Sequence, residues 1–341
     1  MNIFRVLNGA KKKLKLNACD VQLLDLNNRF TKKNVEDALN EVGTGSAQSV
    51  ANLEEWVAQL SNPNLLINGD FREPVNQRGQ TSYKGQYTVD RWQLKHSGTE
   101  DITLTVNDGY ITLQGLSTQN CFLIQPFEDY FLDKIDGKYL TISARYRNTS
   151  SETFRIHIGN NANENNIYLP PSSDWTEVNG SEEFIKKDSS NKGILIQNYN
   201  GTDFVDGTID IEWVKLELGD KATPFVPRPY GEELALCQRY YLSNKDFRDW
   251  MIGTVVNGKY LRIPVPTPET MRVNPTIIFD NPSTENKALQ AYTGSGWIDL
   301  SSVSCYISGG CIWISTKCPT EITGDVSILI KGIPSFDAEI Y

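Results

Sequence analysis

Side-chain alternation with a period of two, cut at short intervals by turn dipeptides, restricts this chain to β architecture from about Asn64 onward. The segment "DITLTVNDGYITLQG" shows the rule most plainly. Asp108-Gly109 reads as a two-residue type I′ turn, which needs positive φ angles. Such a loop pairs Val106 with Ile111 and Leu104 with Leu113, and sets Thr105 against Thr112 on the other face. "YLTISARY" places Leu140, Ile142, Ala144 and Tyr146 on one face. "FRIHI" does the same with Phe154, Ile156 and Ile158, which leaves Arg155 and His157 pointing outward as surface residues. In "TIDIEWVKLELG" the apolar parity changes between Trp213 and Val214, the mark of a bulge or of a strand covered on both faces.

Beyond Leu218 the pattern is interrupted. "GDKATPFVPRPYG" has three prolines in six residues and reads as a stiff, extended connector. "EELALCQRYYL" follows as a short helix whose apolar face is Leu234, Leu236, Cys237, Tyr240 and Tyr241. The last hundred or so residues return to strands. A two-residue loop at Asn257-Gly258 would pair Thr254 with Leu261 and Ile252 with Ile263. One at Gly309-Gly310 would pair Ile307 with Ile312 and Cys305 with Ile314, with Tyr306 against Trp313 on the opposite face.

The first 62 residues differ. "GAKKKLKL" is a basic run, either a solvated arm or a docking segment. Asn34 and Ser49 are N-caps for two helices, with apolar stripes at Val35, Ala38, Leu39, Val42 and at Val50, Leu53, Val57, Leu60. Neither helix is long enough to stand alone in water. Each needs a neighbouring domain or identical chains in a short coiled coil, and ahead of a β domain the second is expected. The expected layout is a helical attachment and trimerisation segment over 1–62 and a jelly roll over 63–218. A connector with a short helix covers 219–242, and a smaller antiparallel β-sandwich covers 243–341.

Composition narrows the chemistry. With 42 acidic against 33 basic residues the net charge is −9, which argues against a nucleic-acid partner. Only two histidines occur, His96 and His157, so histidine-based catalysis and metal sites are not expected. The six cysteines form no CxxC pair and read as reduced thiols; a site from Cys305, Cys311 and Cys318 would lack a fourth ligand. No secretion signal or membrane-spanning run is evident. Phosphate-loop, nucleophile-elbow, zincin and kinase motifs are missing, "NLLINGDFREPVNQRG" included. Paired carboxylates need no local motif, so Glu128, Asp129, Asp133 and Glu182, Glu183 stand as candidates for glycan hydrolysis. No cofactor is expected, although Asp70 and Asp210 could share a structural calcium if their strands are neighbours. Otherwise Asp70 caps the Gly69 turn. Leu65 and Ile67 read as the inward face of the first strand and Phe71 as core, while Arg78 is expected to pin its loop through carbonyls or a carboxylate.

Aromatic residues supply the binding candidates. Tyr292 and Trp297 flank a Gly-Ser-Gly turn, and Tyr306 faces Trp313 across a hairpin. A ring at such a place meets a ligand, meets a partner surface, or folds back into the core.

Several segments also resemble a known family. "NLLINGDFREPVNQRG" with "YTVDRW", "WVKLELGDKATPFVPRPYGEELALCQRYY", "FTKKNVEDALNEV" and "PVPTPETMRVNPTIIF" are similar to segments of bacteriophage tail fibres and related receptor-binding proteins, including those of phage-tail-like bacteriocins. The resemblance implies a homotrimeric virion protein, attached to other virion proteins by its N-terminal part. It implies a carbohydrate-binding-module-like jelly roll and a distal tip that meets a bacterial surface glycan. It carries no catalytic residues. A glycan-degrading tail enzyme, or a spacer or decoration protein without a ligand, are the competing expectations.

Overall fold

The computed structural model describes residue 37 and residues 39–42, 61–163, 166–243, 251–257, 259–279, 289–292, 296–318, 326–330 and 334–340. The chain divides into two compact units, Met1–Ser61 and Asn62–Tyr341. In the first, residues 37 and 39–42 are helical, with Leu39 and Val42 exposed. The second expected helix and Cys19 lie outside the described residues.

The second unit begins with a twelve-stranded jelly roll. Its strands are β1 (Ser82–Lys84), β2 (Gln86–Tyr87), β3 (Gln93–His96), β4 (Thr103–Asn107), β5 (Tyr110–Gly115) and β6 (Cys121–Pro126). After the helix α1 (Asp129–Ile135) come β7 (Lys138–Asn148), β8 (Phe154–Ile158), β9 (Asn166–Leu169), β10 (Ser172–Phe184), β11 (Gly193–Gln197) and β12 (Gly207–Leu218). One sheet runs β1-β4-β5-β12-β7-β10 and the other β2-β3-β6-β11-β8-β9. Between them lies a continuous core that includes Phe71, Trp92, Leu123, Ile142, Ile156, Ile196 and Ile211. This is the mainly β, sandwich architecture that the alternation predicts.

The hairpin register at Val106–Ile111 is as expected, but only Gly109 takes a positive φ (86°), so the turn is not type I′. β12 carries the expected register shift between Ile211 and Trp213, and it is also covered on both faces. In the entry segment Leu66, not Leu65 or Ile67, is the fully buried residue. The segment is not a regular strand; Asn68 takes a left-handed φ of 58° that breaks the alternation. Phe71 is core, as expected.

The connector lies across the outer face of β12 and leads into α2 (Tyr230–Gln238). Trp213 stacks on Phe225 with ring centroids 4.6 Å apart and planes within 6°. Behind it, Lys215 and Glu217 are fully buried with Nζ to Oε2 at 3.2 Å. Thr223 completes this pair. Its N–H donates to Glu217 Oε1 at 2.9 Å, and its hydroxyl donates to Glu217 Oε2 while accepting from Lys215 Nζ at 2.7 Å. In α2 the buried residues are Glu233 and Cys237, whereas Leu236 is exposed, contrary to the apolar face read from the sequence. Glu233 is buried because Arg228 and the Asn68 N–H both bond its carboxylate.

The C-terminal strands are β13 (Tyr241–Ser243), β14 (Met251–Val256), β15 (Tyr260–Pro266), β16 (Thr276–Phe279) and β17 (Leu289–Tyr292). They continue with β18 (Trp297–Asp299), β19 (Ser301–Ser308), β20 (Cys311–Lys317), β21 (Val326–Ile330) and β22 (Pro334–Asp337). One sheet runs β13-β22-β16, the other β18-β17-β21-β14-β15-β20-β19. The edges of the second sheet, β18 and β19, are separated only by Leu300, so its order begins and ends on one run of chain. That run bends where Ser302 has φ 56° and the register slips between Ser301 and Ser304. β14 makes a second corner, pairing with β21 over Met251–Gly253 and with β15 over Thr254–Val256. The C-terminal sheet thus turns two corners, at β14 and at the β18–β19 run, and its two edge strands are consecutive in the chain.

The Gly309-Gly310 hairpin has the expected register and two positive φ angles. The Asn257 hairpin does not. Its loop has three residues, and Val255 rather than Thr254 faces Leu261. The extra residue pairs two apolar side chains that both pack on the C-terminal core.

The buried Lys215–Glu217 pair makes the fold testable. Removing one partner of a buried, hydrogen-bonded pair leaves an uncompensated charge and costs about 3–5 kcal/mol. Glu217→Ala is expected to lower unfolding free energy by about that amount in chemical denaturation, with Lys215→Met/Glu217→Leu retaining most of it. An unchanged Glu217→Ala midpoint would refute the pair's role.

Candidate binding face

The two sheets of the jelly roll present different outer faces. On the β1-containing sheet Arg145 and Arg147 are matched to carboxylates. Arg145 Nε lies 2.6 Å from Glu212 Oε2, and Arg147 Nη2 lies 2.6 Å from Asp210 Oδ2. Trp175 packs edge-on against Tyr110 at 5.6 Å beneath Arg147. Asp210 is committed to Arg147 and to the Thr112 hydroxyl. Asp70 is likewise held by Arg72 at 2.8 Å. Each aspartate of the expected calcium pair therefore has its own arginine, and no group of three or more metal-ligating side chains occurs among the described residues.

The other sheet carries two cross-strand rows. Strand register sets Lys95, Phe122, Gln197, Arg155 and Tyr168 side by side on β3, β6, β11, β8 and β9. The next row is Gln93, Ile124, Leu195, His157 and Asn166. These residues alternate with core members such as Leu94, Leu123, Ile196, Ile156 and Ile167, so they share the outer face. Phe122, Ile124 and Leu195 form a small apolar cluster of their own at its centre.

Around that floor the polar groups are fixed by amides. Gln197 is buried; its Oε1 accepts from Arg155 Nε at 2.8 Å and from His157 Nε2 at 3.0 Å, and its Nε2 donates to Asn120 at 2.6 Å. Arg155 also reaches Asn166 at 3.3 Å and lies over the Tyr199 ring at 4.3 Å. Tyr168 is 42% exposed at the end of its row. His157, expected as a surface residue, is half-buried and its ring sits inside this network. Burial and the neighbouring Arg155 charge push its pKa down to about 3, so the ring is neutral at physiological pH. An exposed ring, planar donors held by strands and an apolar floor suit a flat polyhydroxylated ligand.

The four aromatic residues singled out in the sequence form two separate pairs. Tyr292 and Trp297 are opposite each other on β17 and β18, centroids 5.2 Å apart, and about 40% exposed (40% and 41%). Tyr306 and Trp313 are opposite each other on β19 and β20, half-buried, with Trp313 Nε1 donating to Ser308 O at 2.9 Å. The bent β18–β19 run separates the pairs, so they do not build one site. Three of the five candidate carboxylates, Glu128, Asp129 and Asp133, are engaged as well. Glu128 accepts from the Tyr240 hydroxyl at 2.5 Å, Asp129 pairs with Lys192 at 2.8 Å, and Asp133 pairs with Lys186. Arg78 pins its loop as expected, through Asp90 (3.4 Å) and Glu339 (3.7 Å), and it also stacks over Tyr241 at 3.8 Å.

No family model matches the chain, and no curated protein sequence matches it. Among solved structures it is similar to the enzymatically active domain of bacteriophage CBA120 tailspike protein 4. The identity is 16% and the TM-score 0.29, covering 46% of this chain and 21% of that one. It is similar to the family 11 carbohydrate-binding module of a cellulosomal cellulase of Clostridium thermocellum, at 13% identity and TM-score 0.26, covering 49% and 99%. It is also similar to the N-terminal CBM22-1–CBM22-2 tandem domain of Xyn10C from Paenibacillus barcinonensis, at 11% identity and TM-score 0.24, covering 82% and 98%. The chain thus spans about a fifth of the tailspike chain, and likenesses at these levels decide nothing about what it binds.

His157 gives a pH signature. A ring whose folded pKa is lowered to about 3, against about 6.5 unfolded, contributes stability that is present above about 6.5 and lost as pH falls toward 3. Thermal melts of wild type and His157→Gln from pH 7 to 4 are expected to show wild type losing more. Parallel curves would place the ring in solvent.

Proposed function

We propose that this chain is a virion fibre protein that adheres to a bacterial surface glycan and acts by binding rather than cleavage. The observation that carries the reading is the row Lys95–Phe122–Gln197–Arg155–Tyr168, a strand-borne strip of ring, amide and cation with an apolar floor. The sequence resemblance to phage fibre segments supplies the virion context. The engagement of Glu128, Asp129 and Asp133 by hydroxyl or ammonium groups favours binding over hydrolysis. We place Tyr292, Trp297, Tyr306 and Trp313 as secondary contacts at the distal end. The exposed Leu39 and Val42 support a homotrimer joined through the N-terminal helices, in which weak single-site affinities combine by avidity.

The test is direct. Light scattering of the full chain is expected to give three times its 38.4 kDa mass. On bacterial envelopes that retain it, Arg155→Ala and Tyr168→Ala should each reduce retention about tenfold or more without changing the melting temperature by more than a few degrees. A monomeric mass would contradict the trimer. Release of soluble oligosaccharide, or full retention by both variants, would contradict the binding face.

A further inference from the structure

The same face has a chemical bias. Two cavities, of 610 and 620 Å³, meet on either side of Lys95. The first is walled by Lys84, His96, Asn120 and Asn191 and floored by Phe122, with no carboxylate in its lining although the chain carries a net charge of −9. In the second, Asp129 is paired with Lys192 and Glu128 with Tyr240 and Arg239. Lys95 itself is half-buried and makes no ion pair among the described residues. Burial holds its pKa below the ordinary lysine value, so a bound anion would relieve a desolvated charge. Beside it, Gln93 also lines the first cavity. It is 8% exposed, and its Oε1 is a buried acceptor with no hydrogen-bond partner among the described residues. Buried acceptors are normally satisfied, so an orphan acceptor on a residue that lines a cavity is one that a ligand donor would satisfy.

We infer that the groove over β3 and β6 is a subsite for an acidic glycan, in which Lys95 meets an anionic substituent and Gln93 Oε1 accepts from a neighbouring sugar or polyol hydroxyl. This rests on the reading of that sheet face as glycan-binding and adds the ligand's charge to it. A carboxylate on a uronic acid and a phosphate on a polyol chain present the same chemistry to a lysine. The neutral His157 and amide-bound Arg155, farther along the same two rows, then bind the uncharged part of the chain.

The experiment is a glycan array carrying neutral, uronate-bearing and phosphate-bearing oligosaccharides, read with the full-length chain, followed by calorimetry on the best binder. Binding is expected among the acidic members, with the uronate and phosphate sets deciding which anion is used, and it should weaken several-fold between 50 and 300 mM salt. Lys95→Gln should lose about tenfold in affinity for the acidic binder. Gln93→Leu should lose affinity while keeping or raising the melting temperature, because it removes an acceptor that the protein leaves unpaired. Binding confined to neutral members and unchanged in Lys95→Gln would overturn the acidic subsite and leave the glycan reading standing. Absence of binding to any member would overturn both.

Discussion

Asn68 holds together the parts on which everything else is built. It is 1% exposed and sits at a φ of 58°, a conformation that asparagine tolerates better than most residues. Its side-chain amide donates to Val75 O at 2.9 Å and to Asp90 O at 2.8 Å, and its Oδ1 accepts from the Val75 N–H at 2.8 Å. Its carbonyl accepts from Trp92 Nε1 at 2.7 Å, and its N–H donates to Glu233 at 2.6 Å. One residue thus ties the entry segment, the loop that precedes β3 and the helix after the connector. Glu233 passes the tie to Arg228, which bonds the carbonyls of Asn64 and Leu66. From the same loop Arg91 reaches Glu339, and from β2 Tyr87 reaches the carbonyl of Ile340. The jelly roll and the C-terminal sandwich therefore share one polar seam rather than a flexible joint. Burial raises Asp90 in that seam to about 7 even with Arg78 and Gln77 beside it, which shows how dry the seam is.

That seam explains the string that most resembles phage fibre proteins. In "WVKLELGDKATPFVPRPYGEELALCQRYY" the tryptophan stacks on the phenylalanine, the lysine and glutamate clamp the threonine, and the arginine joins the helix glutamate to Asn64 and Leu66. The string is a docking clasp. It orders the sandwich against its neighbour and leaves the outer face of the β2-containing sheet uncovered by the connector, which lies on β12 of the other sheet. The rigid seam and the uncovered strip are two consequences of one arrangement.

Much of the β architecture was legible because alternation is a local property. "YLTISARY", "FRIHI" and the hairpins at Gly109 and Gly310 carry their register within a dozen residues. Where expectation failed, a single residue changed the count. The third loop residue at Lys259 shifted β14, and burial in the entry segment falls on Leu66, in phase with the buried Asn64 and Asn68, rather than on Leu65. The candidate strip was not legible for a different reason. Its residues come from five strands whose order, β3-β6-β11-β8-β9, is fixed only by long-range pairing. The sequence does show Arg155 at the non-core parity of its strand. It does not show Gln197 between Phe122 and Arg155. His157 looked like a surface residue because the amide that buries it lies forty residues away.

A structure of the chain with a bound acidic oligosaccharide would test this account most directly. The account predicts the sugar chain across the outer face of the β2-containing sheet, its anionic group at Lys95 and a hydroxyl donating to Gln93 Oε1. Ligand held at Tyr292 and Trp297 or at Tyr306 and Trp313, with the strip empty, would contradict it.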